Sequence, residues 1–462
     1  MNLSLRISIF FVLLFTVSYI YPQTGGPISV TGDQLTGRME NGFAVREVTG
    51  NVVLTQGNVV ITCERAIQYL AANNARLIGN VVVRQNNLTI KTPEGFYYGN
   101  ERRAYSERGV TLDDGKVILS ARIGEYFFKE NKADFRSNVV LSDSLSMMTS
   151  EELVYFRDTE FAVAQYNVVL EDSVNRIRTD SLTHDRRTQI THCFGNVQLV
   201  NRADNTVING DYMEDYRVRK YSMVRGNALL IQIDSVFAAG ADTLLSVDTL
   251  IIKSFTMESD RDTISLFTAK DSVKVLRGSF ASVNDLTRYD KSAEMITTFK
   301  TSEKGEVPVL WYDNSQLTGD SVYIFLSDNA ISRIDINANA FLVSKNEAYP
   351  FRFDQILGRR IRMHFAENQL SYTEIFENVL GIYYVYEDEA GNGVIKASGL
   401  NAWIGFKDKK VETVKFLGEP KSEYHPETLL AGNEKAFTLP GFLLRQGRPE
   451  KRDLLRLPGK KD

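Results

Sequence analysis

A 29-residue period constrains this chain more than any other feature. Asn51, Asn80, Asn138, Asn167 and Asn196 are separated by 29 residues or a multiple of it. Gly109 fills the one empty position, and Asn227 follows Asn196 after 31 residues. Most copies sit in a Gly-Asn-Val signature or a close relative: Gly50-Asn51-Val52, Gly79-Asn80-Val81, Gly195-Asn196-Val197 and Gly226-Asn227-Ala228. Self-similarity at a fixed spacing marks stacked structural units, each burying its apolar face against its neighbours. Such a chain is expected to work through a long repeated surface and not through one catalytic cleft.

Each unit reads as β-structure. With the asparagine at position zero, offsets 1, 3, 8 and 10 are apolar in the first three units. These are Val52, Leu54, Val59 and Ile61; Val81, Val83, Leu88 and Ile90; and Val110, Leu112, Val117 and Leu119. Alternation sends successive side chains to opposite faces, so each set shares one face. Thr55-Gln56-Gly57-Asn58, Arg84-Gln85-Asn86-Asn87 and Asp113-Asp114-Gly115-Lys116 read as four-residue hairpin turns. That loop length pairs offset 3 with 8 and offset 1 with 10. Tyr97, Tyr126 and Tyr155 share offset 17, and Ala75, Ala104, Ala133 and Ala162 share offset 24. A unit therefore reads as about four short strands and two turns, with almost no helix in the array. The Gly-Asn pair suits left-handed or bulged backbone between units; an asparagine ladder or a ligand contact is the alternative.

Along the chain, residues 1–22 have the form of an export signal: Arg6, then an apolar run from Ile7 to Ile20. Cleavage is expected near Tyr21 to Gln23, and an uncleaved anchor is the alternative. No later segment approaches 18 continuous apolar residues, so no second membrane helix is expected. A lead-in covers 23–46 and the regular repeats 47–235. Irregular repeats follow over 236–345, with loops or insertions at Ala238–Ala241 and Thr301–Pro308. A longer, 39-residue repeat then aligns Gly319-Asp320 with Gly358-Arg359, Asn329 with Asn368, and Asn339 with Asn378, and continues through 346–420. Residues 421–462 read as a polar tail.

The chemistry is sparse. A net charge of −4 with no basic stripe argues against nucleic acid as a partner. Cys63 and Cys193 lie 130 residues apart at different phases of the repeat, and read as buried free thiols. His184 and His192 flank Cys193 without a zinc-site spacing. No glycine-rich phosphate loop opens a helix. No catalytic residue, metal ligand or cofactor is therefore expected. Arg102-Arg103, Arg186-Arg187 and Arg359-Arg360-x-Arg362 read either as phosphate contacts or as solvated turn residues.

The stretch Gly50-Asn51-Val52-Val53-Leu54-Thr55-Gln56-Gly57-Asn58-Val59-Val60-Ile61-Thr62 resembles the opening hairpin of the OstA-like family. Those proteins are periplasmic β-jelly-roll modules of lipopolysaccharide transport. The family's usual Ala-Asp after the hairpin is Cys63-Glu64 here. Gly319-Asp320-Ser321-Val322-Tyr323 and Ile331-Ser332-Arg333-Ile334 fit a later unit, and the resemblance covers about residues 28–420. The Leu439-Pro440-Gly441-Phe442 and Arg448-Pro449 tail resembles a Bacteroidetes-type group. The C-terminus lacks the alternating segments of an outer-membrane barrel, so the chain is expected to be soluble after export.

The resemblance implies an all-β fold: an elongated repeat β-jelly-roll, or two-sheet sandwich, of short antiparallel strands. It implies a lipid-accommodating groove between the sheets, lined by the twelve apolar residues above if they are more than core. The expected function is non-enzymatic carriage of lipopolysaccharide or a related envelope glycolipid to the outer membrane. The expected partners are other jelly-roll transport proteins, joined by edge strands near Ile28–Leu35 and Val411–Phe416, and the outer-membrane translocon. The expected location is the periplasm, with association to either membrane left open. Two rival readings are a structural envelope scaffold and an asparagine-ladder β-helix that binds polysaccharide.

Overall fold

The computed structural model describes residues 26–237, 244–262, 265–301, 306–327, 330–346, 348–367, 369–387, 390–408, 410–430 and 432–456. The export signal, the loop at Ala238–Ala241, residues 302–305, Asn329 and Asn368 lie outside the described residues. The chain forms two compact units, Met1–Phe135 and Arg136–Asp462.

In the first unit, consecutive strands Phe43–Gln56, Val59–Tyr69, Asn74–Gln85 and Leu88–Tyr98 pair antiparallel, each with the next. Each pairing has a register shift at mid-strand, such as that between Ile78 and Val81. The Gly-Asn pair is that bulge. Gly50, Gly79, Asn51 and Asn80 all have positive φ, from 45° to 79°. The residue order has a steric reason. A Cβ on Gly79 would stand 2.3 Å from Glu64 Oε2, and one on Gly50 would stand 2.3 Å from Asp33 Oδ2. The asparagine tolerates the left-handed region, and its amide donates to the same carboxylate: Asn80 to Glu64 at 2.6 Å and Asn51 to Asp33 at 3.0 Å. Asn196 to Asp180, Asn227 to Asp211 and Asn339 to Asp320 repeat the contact in the second unit. The backbone explanation of the signature holds, and the asparagine ladder is a row of Asn–carboxylate pairs.

The bulge bends each strand, so its two halves lie in opposite layers of a sandwich. The four short strands expected per unit are therefore joined two by two into continuous bent strands. They are separate where Gly109 replaces the asparagine, giving Arg103–Ser106, Val110–Asp113, Ile118–Ala121 and Ile123–Phe127. The hairpin register also differs from expectation. Leu54 pairs with Ile61 and Val83 with Ile90 across two-residue loops, so offset 3 faces offset 10 and not 8. Of the three turns read from the sequence, the third alone is a four-residue loop, over Asp114–Val117. The slip is by two residues, so every side chain keeps its face.

The tyrosines and alanines form a size-matched row. Tyr97 sits opposite Ala75 on one neighbour and Ala104 on the other, and Ala104 also faces Tyr126. The methyl groups leave room for rings that are almost wholly buried, which is interdigitation at native packing density.

The second unit continues the same construction through Phe161–Glu171, Asn175–Asp185, Ile190–Asn201, Thr206–Tyr216, Tyr221–Phe237 and Leu244–Asp260. The longer repeats supply Ala330–Lys345, Phe353–Ala366, Gln369–Glu387 and Ala390–Lys407. Every described pairing in both units is antiparallel, which removes the parallel β-helix reading. The described helices are short and confined to the tail: Glu427–Leu430, Glu434–Ala436 and Lys451–Leu455. None is long and apolar enough to cross a membrane.

The tail is not a loose polar segment. Lys421–Pro426 pairs with Ala390–Lys407. Leu430 and Phe437 pack on Ile382, Tyr384 and Val394. Leu439 N–H donates to Gln355 Oε1, Arg445 N–H donates to Gln316 Oε1, and Arg448 donates to the carbonyls of Asp313 and Ser279. Leu454 ends the run against Leu229 and Ile251. The tail is thus a strap laid across successive strands of the second unit, fixed by apolar anchors and side-chain-to-backbone hydrogen bonds.

Candidate functional site

The interior between the layers is the candidate site. All twelve residues singled out from the sequence point into it and are 0–6% exposed. The structure brings them together as core. Near Val81, Val83, Ile90 and Val110 the facing half-strands contribute Leu77, Phe96, Tyr126 and Phe135, and about 20 Å³ of space is left. That is room for roughly one water.

The open side of each bent strand lies between two rows of hairpin turns. In the first unit, side chains close this mouth. Gln56 Nε2 donates to Gly99 O at 3.0 Å, Tyr97 Oη donates to Gln56 Oε1 at 2.6 Å, and Arg102 donates to Asn58 Oδ1 at 2.8 Å.

In the second unit the interior widens to a cavity of about 330 Å³, within the range of small-ligand sites, roughly 300–1,000 Å³. Leu170, Ile177, Leu199 and Met213 supply apolar lining; Asp143, Asp172, Asp215, Arg217, Lys220 and Arg261 bring charge. Two ion pairs engage carboxylates of its lining, Asp143 and Asp172. Arg186 Nη2 meets Asp143 Oδ2 at 2.8 Å, and Arg217 meets Asp172 at 3.7 Å. Burial alone would raise the Asp143 carboxyl. The N–H groups of Leu145 and Ser146 and the Arg186 guanidinium outweigh it and hold the group below the usual carboxylate range. Asp172 is likewise held low against burial, by the N–H groups of Asn175 and Val174 and by Arg217. His184, lining the same cavity, is pushed down by burial and then by Arg186.

The role of these residues escaped the sequence reading, which placed Gln56, Gln85 and Asp114 in polar hairpin turns. All three are buried. The signal was present: Gln56, Gln85, Asp114, Asp143, Asp172 and Asn201 recur every 29 residues at offset 5. The arginine runs are mostly matched to carboxylates: Arg103 to Glu101 and Glu125, Arg186 to Asp143, Arg359 to Glu377 and Arg362 to Asp335. His184 and Cys193 share the inner face, whereas His192 is on the outer face against Tyr212 and Phe194. Cys63 and Cys193 are both free and buried. Burial pushes their thiols up to about 11 and about 12. Among the described residues no group of three or more His, Cys, Asp or Glu stands close enough to hold a metal ion.

Bent antiparallel strands stacked as a two-layer sandwich around an apolar interior in each unit define a serial β-jelly-roll. The sequence model of the family described as OstA-like protein matches residues 30–180, and over that segment the chain is OstA-like. No curated protein matches the chain. Among solved structures it is similar to LptH, described as the LptA homologous periplasmic component of the conserved lipopolysaccharide transport device from Pseudomonas aeruginosa. That match has 15% identity, covers 30% of this chain and 82% of LptH, and has a TM-score of 0.16.

Proposed function

We propose that this protein is a non-enzymatic carrier of the cell envelope that holds the acyl chains of lipopolysaccharide or a related glycolipid between its two layers. The observation that carries the reading is the second unit's cavity, with apolar lining and charge at its mouth. An acyl chain entering it leaves water at a gain of about 0.8 kcal/mol per CH₂. The repeat offers similar surroundings from one unit to the next, so the chain moves without a large barrier and without covalent chemistry. The OstA-like match over residues 30–180 supports the same reading, with the periplasm as the place of work. Other jelly-roll transport proteins and the outer-membrane translocon are the partners it implies. The twelve apolar residues of the first unit take acyl chains in the same way, once the contacts of Gln56 and Arg102 release.

Photo-crosslinkers at Leu199 and Val83 test this in cells. Both positions are expected to capture glycolipid, while one at the exposed, outward Arg84 captures little. Lipid at none of these positions in a folded protein replaces the carrier with the structural scaffold.

A further inference from the structure

The Arg186–Asp143 pair has a geometry that a plain stabilising ion pair does not need. Arg186 presents two donors, Nε at 3.2 Å and Nη2 at 2.8 Å, to the single oxygen Asp143 Oδ2. The other carboxylate oxygen is occupied: Oδ1 accepts from the N–H groups of Leu145 and Ser146, both at 2.8 Å. The guanidinium fork therefore cannot make the parallel two-oxygen contact that it makes best. A second partner waits on Arg186's own side of the mouth. Glu160 lies 3.5 Å from Nη1, and Arg186 N–H donates to the Glu160 carbonyl at 3.1 Å. If Asp143 lets go, Arg186 stays at the rim, and Asp143 keeps its backbone donors. Asp143 lines the cavity, and so do Arg217, Lys220 and Arg261.

We infer that Arg186–Asp143, with Arg217–Asp172 one repeat on, is a gate over the cavity. It is opened by an amphiphile carrying a phosphate monoester, whose oxygens take the Arg186 fork in place of Asp143. The inference rests on the carrier reading above and adds selection by headgroup. Phosphate supplies the two oxygens that Asp143 cannot, and the adjacent cations attract its charge. Its acyl chains then occupy the space beside Leu170, Ile177, Leu199 and Met213. An uncharged amphiphile has nothing to exchange for the ion pair and meets a closed mouth.

The test uses the purified full chain with detergent-dispersed phosphatidic acid, diacylglycerol of the same acyl chains, or inorganic phosphate, and bound lipid is quantified by mass spectrometry. The native protein is expected to retain phosphatidic acid over diacylglycerol by about tenfold, the scale of one charge-assisted hydrogen bond. In Arg186→Gln that ratio falls to near one, with diacylglycerol now retained. Asp143→Asn, whose amide oxygen still accepts from Leu145 and Ser146, keeps the turn and takes up phosphatidic acid faster. Inorganic phosphate competes only weakly, because it lacks the acyl contribution. Equal retention of the two lipids by the native protein overturns the gate and leaves the carrier standing. A ratio unchanged in Arg186→Gln does the same. Competition by inorganic phosphate as strong as that of phosphatidic acid reduces the site to an anion site. Retention of neither lipid by any variant overturns the carrier reading together with the gate.

Discussion

At the residue scale, the repeat is held by a pair of left-handed residues with different reasons for being there. Gly79 has φ 79° and no room for a Cβ beside Glu64, whereas Gly109, at the asparagine position of its unit, has φ 89° and open space. Gly79→Ala is expected to cost about 1–2 kcal/mol for the left-handed backbone, plus the displacement of Glu64. Gly109→Asn is expected to lie within about 0.5 kcal/mol of the native protein, because asparagine tolerates that region. Urea denaturation of both variants checks this, and equal effects would remove the steric account of the Gly-Asn order. Asp354 provides a second residue-scale test. Burial pushes its carboxyl up to about 6, although Oδ1 accepts the Tyr384 N–H at 2.8 Å. The folded protein thus binds this proton more tightly than the unfolded chain does. Its contribution to stability is present at low pH and is lost as pH rises through about 6. Asp354→Asn is expected to be more stable than the native protein by about 3 kcal/mol at pH 7 and by less than about 1 kcal/mol near pH 4. A gain of the same size at both pH values would show that Asp354 does not titrate in this way.

At the element scale, the strap formed by the tail carries most of its docking in a few side chains. Leu454 is almost wholly buried against Leu229 and Ile251, although it lies on a five-residue helix too short to be stable alone. Leu454→Ala is expected to remove about 2 kcal/mol or more of docking and to free the end of the strap. The readout is trypsin cleavage at Lys451 and Arg452, expected to accelerate while the β-strands stay protected. An unchanged cleavage rate would show that the hydrogen bonds of Arg448 and Gln316, and not Leu454, hold the tail down. The sequence pattern marked this segment only as polar. Its anchors Leu430, Phe437 and Leu454 have no common period, and the strand residues beneath them come from distant repeats.

At the scale of the whole molecule, the two ends of the strand order are open. Ser29–Thr31 and Gln34–Glu40 pair only with Phe43–Gln56 among the described residues. Lys410–Leu417 and Lys421–Pro426 pair only with Ala390–Lys407. These are the edges expected from sequence, and unpaired edges are templates for strand addition. The N-terminal edge also exposes Leu35 at 59% and Met39 at 68%. Replacing both with lysine is expected to shift self-association, or binding to another jelly-roll protein, to at least about tenfold higher concentration, since edge lysines block pairing. The thermal transition should stay unchanged. Sedimentation at several concentrations measures it, and association as strong as that of the native protein would exclude this edge.

Sequence alone determined what depends on local alternation and on period. Val52, Leu54, Val59 and Ile61 declared strands and one buried face, and Gly50-Asn51 declared a bulge, because side-chain direction and left-handed backbone are properties of a few adjacent residues. The 29-residue spacing declared repeated units, because each has to bury its face on the next. Tertiary structure decided what depends on pairing between distant residues. It set Leu54 against Ile61, because loop length is chosen by the whole hairpin and parity alone does not reveal a slip of two. It placed Gln56 and Asp143 at a closed mouth, because their partners Gly99 and Arg186 are 43 residues away in each case and meet them only when the strand bends. The packed first unit and the cavity in the second have the same cause. Both faces read as alternating strands, and only the packing of their opposed layers leaves space in one and closes it in the other.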